Sequence, residues 1–583
     1  MRDPIKTTLF RRHGFLAGSV LAVALHGHAL SQEAPDQRGG SLALMEEITV
    51  TAQKREENIQ SVPISMQALT GNMIEKLDLK RANEVERLVP NLDARMAADT
   101  QINYSIRGVG ENNFHTNSVG AVGLYLDEVT LSSPISTALQ LFDMERIEVL
   151  RGPQNTLFGL NTTGGAVNFI TRKPEVGGDP NGRVRATYGR FNQMDVEGAV
   201  GLPLGETAAI RVAGAVQSRN GWQRNLTRDE KAHEIERYAG RVQLAFEPGE
   251  RLEILLNVHG ALNRGDNRHY KSIGTQDPAD PGQPCPLIGG PINVGDSCVD
   301  GGGFQDNDDF REYFGDMGPL RNDIDNYGAI ASLQWHFDTF SLSSITAYIS
   351  NELERHEDAD ASPNAFFGFH QFADVEQFSQ EVRLTSTADA DLRWIAGSIY
   401  FEEDSFYSTS VRRAPAGILP GAWPPGNFTI MPTTQVDQKN RNWSLYGQAE
   451  YDVTNDLKIT GGLRWVRETK TGVNNAFVGS GGGLDPNLYI GPDEALINTP
   501  LQTLPPLAFD FTWKEWGGKL GVDYHVSDDL MVYASVARGF KGGGISVAAL
   551  QALVGQAARE VRPETLLTYE AGFKATLDDK RLT

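Results

Sequence analysis

The feature of this sequence that most restricts its fold is an alternation of apolar and polar side chains that starts near Arg183. In residues 443 to 453, WSLYGQAEYDV, the odd positions are apolar or small, whereas the even positions are mostly polar. Successive side chains of a β-strand point to opposite faces, so this segment predicts a strand with one apolar and one polar face. Similar segments occur at residues 457 to 465, 516 to 536 and 242 to 258.

The connections between the predicted strands alternate in length. Fourteen strands are predicted, near residues 183, 192, 207, 237, 251, 326, 340, 377, 391, 442, 457, 513, 530 and 567. Short turns are expected at 203, 248, 338, 387, 454, 527 and 578, and long loops at 220–236, 262–325, 351–376, 405–441, 468–510 and 541–566. Soluble sandwiches also have two-faced strands, but short turns on one rim and long loops on the other are typical of transmembrane barrels. The pattern therefore predicts an antiparallel transmembrane β-barrel over residues 182–583.

The composition excludes two other classes of protein. The chain contains no run approaching the ~20 consecutive apolar residues that a membrane-spanning helix requires, so a helical membrane protein is excluded. Its formal net charge of −22 argues against a nucleic-acid partner, because binding to phosphates requires clustered Lys and Arg. The length of 583 residues exceeds a single globular core, which predicts at least two structural units.

The amino terminus and the cysteines both indicate export. Arg11 and Arg12 precede an apolar run, and Ala29-Leu30-Ser31 offers small residues for cleavage before Gln32, which predicts a signal peptide over residues 1–31. Cys285 and Cys298 are thirteen positions apart in a stretch rich in Gly, Pro and Asp. We expect a disulfide between them, worth about 3 kcal/mol on the chain-entropy model and stable only in an oxidising compartment. Two unpaired loop thiols are the alternative.

A small mixed domain is predicted before the barrel, over residues 61–174. Short helices are expected near residues 71–77 and 82–88, followed by β-rich segments in NYSIRGVG, AVGLYLDEV and ERIEVLRG. Residues 145–174, ERIEVLRGPQNTLFGLNTTGGAVNFITRKP, predict a strand, a break at Arg151-Gly152-Pro153 and a second strand after Gly164-Gly165. This segment resembles the plug domain of TonB-dependent outer-membrane receptors, and the resemblance extends over almost the whole of the small domain.

The resemblance implies a mainly β protein with an N-terminal α/β plug domain inside a transmembrane antiparallel β-barrel. Family barrels have about twenty-two strands and end on an aromatic residue, whereas only about fourteen strands are predicted before Thr583. An open sheet would leave unpaired edges in lipid, so we expect the chain to be part of a longer receptor. A naturally short protein is the alternative.

The segment EEITVTA, residues 46–52, resembles the TonB box of the family, within a periplasmic leader over residues 32–60. Such a box is captured by β-strand addition. We find no hairpin partner for it nearby and expect it to pair elsewhere; a frayed leader strand is the alternative. The residues that the resemblance assigns to TonB binding are Glu47, Ile48, Thr49, Val50, Thr51 and Ala52.

Two further groups of residues are assigned by the resemblance. Arg107 and Arg151 match plug arginines that pair with barrel glutamates in the family, and Glu570 of TYEAGFK matches one such glutamate. The plug loop ENNFHTNS corresponds to a loop that family plugs expose to ligand, and its candidate contacts are Asn112, Asn113, Phe114 and His115. Ordinary surface arginines and simple solvation of the loop are the respective alternatives.

The function implied by the resemblance is active import of a scarce ligand across the outer membrane of a Gram-negative bacterium. A ferric siderophore is the first expectation, although cobalamin, saccharides and hydrophobic compounds use the same architecture. The implied partners are TonB with its inner-membrane energising complex, outer-membrane lipid and lipopolysaccharide, the barrel assembly machinery and the ligand. A passive porin and a surface adhesin are the alternative functions.

Motifs for chemistry do not support an enzyme. The sequence contains no HExxH, no GxSxG and no clustered Cys and His, and we expect neither a catalytic residue nor a cofactor. The acidic run Asp306, Asp308 and Asp309 lacks the glycine and the closing glutamate of an EF-hand loop, which favours a solvated loop over a metal site.

Overall fold

The computed structural model describes residues 48–98, 101–111, 117–137, 139–266, 269–272, 274–285, 298–300, 303–307, 309–316, 320–363, 367–387, 390–413, 429–481, 500–503, 506–546 and 559–577. The predicted signal peptide and Glu47 lie outside these residues, as do Asn112, Asn113, Phe114 and His115. Among the described residues, no helix combines the length and the apolar character needed to cross a membrane.

The plug is a small α/β unit built on a central sheet. Its elements are β1 (Thr49–Val50), β2 (Glu57–Asn58), β3 (Met66–Thr70), α1 (Gly71–Lys76), a 3₁₀ helix (Ala82–Arg87), β4 (Leu92–Ala98), β5 (Gln101–Ile106), β6 (Val109–Gly110), β7 (Val122–Leu126), β8 (Val129–Thr130), a second 3₁₀ helix (Pro134–Thr137), β9 (Met144–Arg151) and β10 (Gly165–Thr171). Five strands form one sheet in the order β3-β9-β10-β7-β8, and β4, β5 and β6 form another. Both predicted short helices are present.

The middle strand of the plug sheet explains why the segment after Gly164 reads as a continuous apolar run. Strand β10 pairs antiparallel to β9 and parallel to β7, and each of its residues is buried. A strand covered on both faces carries little polar alternation. The apolar cluster around Val167 and Phe169 continues into the barrel wall at Ile345 and Ile349, so the plug core is completed by the barrel.

The barrel part contains long antiparallel strands and several short ones. They are β11 (Asn181–Gly189), β12 (Gln193–Pro203), β13 (Ala208–Arg219), β14 (Gln223–Asn225), β15 (Glu230–Ala232), β16 (Ile235–Gly249), β17 (Leu252–Gly265), β18 (Gln276–Asp277), β19 (Asp280–Pro284), β20 (Glu312–Tyr313), β21 (Arg321–His336), β22 (Phe340–Asp358), β23 (Phe367–Ser386), β24 (Leu392–Arg413), β25 (Thr429–Asp452), β26 (Leu457–Gly481), β27 (Pro500–Thr503), β28 (Leu507–Ser527), β29 (Leu530–Lys541), β30 (Gly544–Ser546), β31 (Arg559–Val561) and β32 (Glu564–Ala575). A 3₁₀ turn (Arg190–Asn192) joins β11 to β12.

The fourteen predicted strands of the barrel are confirmed. They form a single antiparallel sheet in the order β11-β12-β13-β16-β17-β21-β22-β23-β24-β25-β26-β28-β29-β32. Strand β27 also pairs with β26, beside this path. Within the described part of the chain, β11 and β32 are not paired with each other, so the sheet is not closed.

The outer face of the barrel strands is apolar and their inner face is polar, which is the reverse of a soluble protein. In β25, Trp443 and Leu445 are 54% and 60% exposed, whereas the alternate residues Ser444, Gln448 and Glu450 are buried against the interior. An apolar outer face and a polar lumen are what a barrel in lipid requires. The apolar residues of the alternating pattern therefore lie on the outer face of the barrel.

Three predicted loops are shorter than expected. The strands predicted near 377 and 442 begin at Phe367 and Thr429, and β22 and β26 continue to Asp358 and Gly481. The prediction of loops over 351–376, 405–441 and 468–510 is thus partly wrong. The extensions carry polar residues on both faces, as in NELERHED of β22, because they lie beyond the apolar band of the barrel. The hydrogen-bonded pairing of the strands continues there, although the sequence no longer alternates between apolar and polar residues.

Candidate functional site

The described chain begins at Ile48, within the predicted TonB box, and the described part of the box is folded back on the following residues. Strand β1 pairs antiparallel with β2, with Thr49 opposite Asn58, and the Ile59 amide donates to the Ile48 carbonyl at 3.0 Å. The expectation that this segment lacks a nearby partner is wrong. A turn closed by the Lys54 amide, which donates to the Thr51 carbonyl at 2.9 Å, returns the chain, and Lys54 takes the left-handed conformation that makes it possible.

The box is docked on the plug through Glu148. The Thr51 amide and hydroxyl donate to Glu148 Oε1 at 2.8 and 3.2 Å, and Arg146 Nε donates to the same oxygen at 2.8 Å. Burial raises the pKa of Glu148, an effect that Arg146 and the Thr51 donors oppose. Because Val50 is fully buried nearby, residues 50 and 51 form an integral part of the plug in this state.

The three residues after the box contact the barrel as well as the plug. The contacts join Gln53 Oε1 to Gln448 Nε2 (2.8 Å), Lys54 Nζ to Glu128 Oε2 (3.0 Å) and to Glu381 Oε2 (3.6 Å), and Arg55 Nη2 to the Trp394 carbonyl (2.7 Å) and Ser386 Oγ (3.1 Å). Ser386 and Trp394 flank a short turn between β23 and β24. The box therefore lies at the rim that carries the short turns, which faces the periplasm in barrels of this type.

Two of the three predicted latch residues are in contact. Arg107 Nη1 contacts Glu570 Oε2 at 2.6 Å, and the hydroxyl of Tyr533 donates to Glu570 Oε1 at 3.2 Å. Arg151 donates to Gln67 Oε1 at 3.1 Å, because β9 lies beside β3. Burial lowers the pKa of Arg151, and the nearby charge of Arg107 adds to this effect. The structure thus joins Arg107 to Glu570 directly and places Arg151 within electrostatic reach of both.

We expect the Arg107–Glu570 pair to make a modest contribution to plug docking. The Arg107 side chain is 38% exposed, so the interaction resembles a surface pair worth about 1 kcal/mol rather than a buried one. Glu570→Gln is expected to increase hydrogen exchange of the β10 amides about fivefold, which corresponds to that energy. Asp338→Asn is the matched control, since Asp338 pairs with Arg251 at 2.7 Å on the barrel rim. Unchanged exchange and unchanged uptake with Glu570→Gln would contradict a role in gating.

The structure reveals stronger ionic contacts between plug and barrel that the sequence analysis missed. The Asp143 carboxylate of the plug accepts two hydrogen bonds from Arg211, at 2.7 and 2.6 Å, and one from Arg241 at 3.3 Å. The Asp143 carbonyl accepts another from Arg241 at 2.9 Å, and all three side chains are buried. Arg211 and Arg241 lie at inward-facing positions of predicted strands, and this position in the alternating pattern was the sequence feature that could have identified them. Their partner was not predictable, because Asp143 lies 68 residues before Arg211 in the chain.

A cavity lies between the plug and the barrel wall. It is partly open to solvent. Its lining carries carboxylates from both units, namely Glu111, Glu128, Glu381, Glu403 and Glu468, together with the cations Lys54 and Arg464. Glu111 and Ser118, the first and last residues of the predicted ligand loop, contribute to the same lining. The predicted contacts Asn112, Asn113, Phe114 and His115 are outside the described residues.

The long loops contain the predicted disulfide and two acidic groups. Cys285 and Cys298 are joined, with their Cα atoms 5.8 Å apart. Asp306 accepts from Lys271 Nζ at 2.6 Å and Asp309 pairs with Arg311 at 2.8 Å, while Asp308 is outside the described residues. Lysine and arginine side chains thus pair with the two described carboxylates of the acidic run that the sequence analysis weighed as a metal site. Carboxylate oxygens of Asp316, Asp358 and Asp360 lie within 4.8 Å of one another, close enough to share a cation.

Two family models match the chain. The model described as TonB-dependent receptor plug domain matches residues 58–166, and the model described as TonB dependent receptor-like, beta-barrel matches residues 257–583.

Individual relatives and solved structures agree with these models. The catecholate siderophore receptor Fiu of Escherichia coli K12 is 23% identical over 508 residues, which cover 81% of this chain and 63% of Fiu. The pesticin receptor of Yersinia pestis is 29% identical over 130 residues, covering 22% of this chain and 19% of the receptor. The crystal structure of the ferric yersiniabactin uptake receptor FyuA from Yersinia pestis superposes with a TM-score of 0.66 at 18% identity, covering 88% of this chain and 70% of FyuA. The chain thus spans a little under two thirds of the length of Fiu.

Proposed function

Because the chain belongs to the TonB-dependent receptor family, we propose that it takes part in TonB-driven import of a ferric siderophore across the outer membrane. The family consists of outer-membrane receptors of Gram-negative bacteria rather than enzymes, and the outer membrane is accordingly the location of this chain. The plug is assigned to residues 61–174, the barrel to residues 182–583 and the TonB box to residues 46–52.

The observation that carries the proposal is the docking of the box at the rim with the short turns. A partner in the periplasm reaches this rim first, and Thr49 is exposed there. Among the described residues β1 belongs to a two-stranded sheet, so a further strand has one edge of β1 to which it can add. TonB, driven by its inner-membrane energising complex, is the partner we propose.

The contacts of the box give a route for force into the plug. Thr51 is bonded to Glu148 on β9, and β9 pairs with both β3 and β10 in the plug sheet. A pull on residues 46–52 therefore acts on a central strand of the plug rather than on a loose tail. Displacement of plug segments that line the cavity would widen it into a passage through the barrel.

The ligand class is proposed from the relatives. Fiu is described as a catecholate siderophore receptor, FyuA as a ferric yersiniabactin uptake receptor, and a further structural neighbour as FpvA of Pseudomonas aeruginosa bound to pyoverdine. A ferric siderophore is the ligand type that these descriptions share, and Asn112, Asn113, Phe114 and His115 remain the proposed contacts. The other proposed partners are outer-membrane lipid and lipopolysaccharide at the apolar outer face, and the barrel assembly machinery.

Ligand binding by outer membranes tests the ligand class. Membranes that contain the receptor are expected to bind radioactive iron saturably when it is presented as one type of ferric siderophore, for example a ferric catecholate or a ferric hydroxamate. Membranes without the receptor are the control, and exchange of residues 112–115 for glycine and serine is expected to weaken binding. Binding of cobalamin or a saccharide, with no binding of the ferric complexes, would contradict a siderophore as ligand.

Two alternative functions make different predictions. A passive porin admits solutes without saturation and without the box, and a surface adhesin binds without accumulation inside the cell. The buried contacts of residues 50–55 favour the energised receptor, because neither alternative needs a docked N-terminal strand.

A further inference from the structure

Two exposed cations on the outside of the barrel face each other across β26 and β28. Arg467 is opposite Lys514 in the antiparallel register, and we call these two residues the outer cation pair. Like charges directly opposite on neighbouring strands destabilise a sheet when nothing compensates them. Within the part of the chain that the structure describes, neither side chain forms an ion pair or a hydrogen bond. The pair therefore presents a double positive charge to an anion outside the barrel.

The carboxylates next to this pair in the sequence have other partners. Glu468 is buried on the inner face, where Lys470 lies 3.5 Å from it. Glu515 pairs with Arg538 at 3.1 Å. Asp510 is on the outer face of β28, about 13 Å further along the strand and thus beyond the Debye length of about 8 Å at physiological salt. None of these carboxylates neutralises the outer cation pair.

The cations of the neighbouring strand β25 are already balanced. Lys439 and Arg441 lie 2.8 and 2.9 Å from Glu402, and Lys439 also lies 3.4 Å from Asp404. Two cations and two carboxylates thus share this part of the outer face. The net positive charge of the outer face between β24 and β28, at this height of the barrel, belongs to the outer cation pair.

The pair lies at the outer border of the apolar band. Arg467 is ten residues beyond Leu457, where β26 begins at the rim with the short turns. Ten residues of a tilted strand span a height of about 25 Å, which is the height of the lipid-facing band of such barrels. Trp465 and Trp516 are opposite each other in the next outward positions towards the membrane, as in an interfacial girdle. The pair thus faces the headgroups of the outer leaflet.

An apolar groove lies on the membrane side of the pair. It is lined by Leu445, Gly447, Leu463, Trp465 and Trp516. Gly447 is opposite Leu463 in the register, and a Cβ atom at position 447 would meet no atom closer than 3.6 Å. This position is four residues, or about 13 Å, from the level of the cations. A phosphate at the cations and an acyl chain in the groove would therefore fit one lipid molecule.

Another part of the outer face carries the opposite charge. Asp325, Glu352 and Asp374 are opposite one another across β21, β22 and β23, at a similar distance from the short turns. Arg264 contacts Asp325, which leaves this group with two more carboxylates than cations. A lipid phosphate is repelled there and attracted to the outer cation pair, so the charges favour one part of the barrel over the rest.

We propose that the outer cation pair and the groove form a binding site for one phosphorylated lipid of the outer leaflet. A phosphate is bound by Arg467 and Lys514, and an acyl chain lies against Gly447. Both cations suit a phosphate, which arginine binds through two parallel hydrogen bonds. The lipid A part of lipopolysaccharide has this chemistry, because it joins sugar phosphates to acyl chains. The site requires the outer membrane as location but not the import of a ligand.

Lipid retention by the purified receptor tests the proposal. The receptor is extracted from outer membranes, titrated in detergent with bis-phosphorylated lipid A and examined by native mass spectrometry. We expect saturable retention of one lipid A per chain, and at least about tenfold weaker binding when Arg467→Gln is combined with Lys514→Gln. Lipid A without phosphates is expected to bind the unaltered receptor about tenfold more weakly than the phosphorylated form.

Two further variants make the test specific. Lys439→Gln combined with Arg441→Gln is the matched control, because it removes two cations of the same face that have carboxylate partners; binding is expected to change less than about twofold. Gly447→Leu fills the groove and leaves both cations in place. It is expected to weaken binding about fivefold, and it decides the matter if the double charge variant fails to assemble.

Three results would overturn the proposal. They are equal binding of the two forms of lipid A, equal weakening by the two double variants, and binding by Gly447→Leu at the affinity of the unaltered receptor. Retention of a second copy of the chain in place of the lipid would also overturn it and favour a contact between copies. Because retention is measured without ligand and without a proton gradient, its failure leaves the proposed import untouched, and loss of import leaves the lipid site untouched.

Discussion

A disulfide between Thr156→Cys in the plug and Gly462→Cys in the barrel wall is expected to abolish accumulation of the ligand, and its reduction is expected to restore accumulation. A Cβ atom at position 462 would lie 2.7 Å from Thr156 Cγ2, which is the place that a cysteine sulfur at position 156 can take. A disulfide requires two closely spaced side chains, and this close approach makes positions 156 and 462 suitable for a cross-link.

The position of this bond matters for the proposed passage. Phe158 and Asn161, from the same plug loop as Thr156, line the cavity, and so does Arg464 on the same strand as Gly462. A covalent bond here joins the two walls that must separate if the cavity is to widen. Accumulation is therefore expected to fall to the level of cells without the receptor, while binding at the outer surface is retained.

The measurement is accumulation of the radioactive ferric complex before and after treatment of the same cells with a reductant. Each single cysteine variant is a control for the substitutions. The wild-type receptor treated with the same reductant controls for reduction of the native Cys285–Cys298 bond. Wild-type accumulation by the fully cross-linked receptor would show that this plug loop stays in place during import.

The architecture was largely predictable because the barrel strands have a regular alternation of apolar and polar residues and are joined by turns and loops of alternating length. Strand number, order and the outward apolar face followed from the alternation in segments such as 443–453, and the short turns located one rim of the barrel. The polar ends of β22 and β26 were not predictable, because alternation marks a strand only where its two faces meet different surroundings.

The contacts that hold the plug were predictable only where a family motif carried them. Arg107 and Glu570 were found through IRG and TYEAGFK, and the structure places them in contact. No family motif marks the pair of Asp143 with Arg211, although the position of Arg211 in the alternating pattern is one that faces the barrel interior. Periodicity identifies the face on which a residue lies but not the residue opposite it across the lumen.

The box shows a third limit of the sequence. Its β-prone residues were recognised, but its partner β2 was not, because the return turn depends on a left-handed lysine instead of Gly or Asn. The same Lys54 then supplies the charge that is buried between plug and barrel. A turn formed by an atypical residue is thus both hard to predict and informative about what that side chain contacts.

Removal of residues 46–52 is expected to abolish accumulation and to leave ligand binding unchanged. The deletion takes away the segment that TonB is proposed to capture, together with the bonds from Thr51 to Glu148 through which force would reach the plug. The proposed ligand contacts at 112–115 do not belong to this segment. Replacement of residues 46–52 by a glycine and serine segment of equal length is the matched control for chain length, and it is expected to behave like the deletion.

The most direct test of energised import is to measure binding and accumulation of the radioactive ferric complex in cells that carry the deletion, with and without a proton gradient. The deletion variant is expected to show wild-type binding and background accumulation under both conditions, whereas the intact receptor is expected to accumulate ligand only while the gradient is present. Accumulation by the deletion variant at the wild-type rate, unaffected by collapse of the gradient, would contradict TonB-driven import and support passive diffusion.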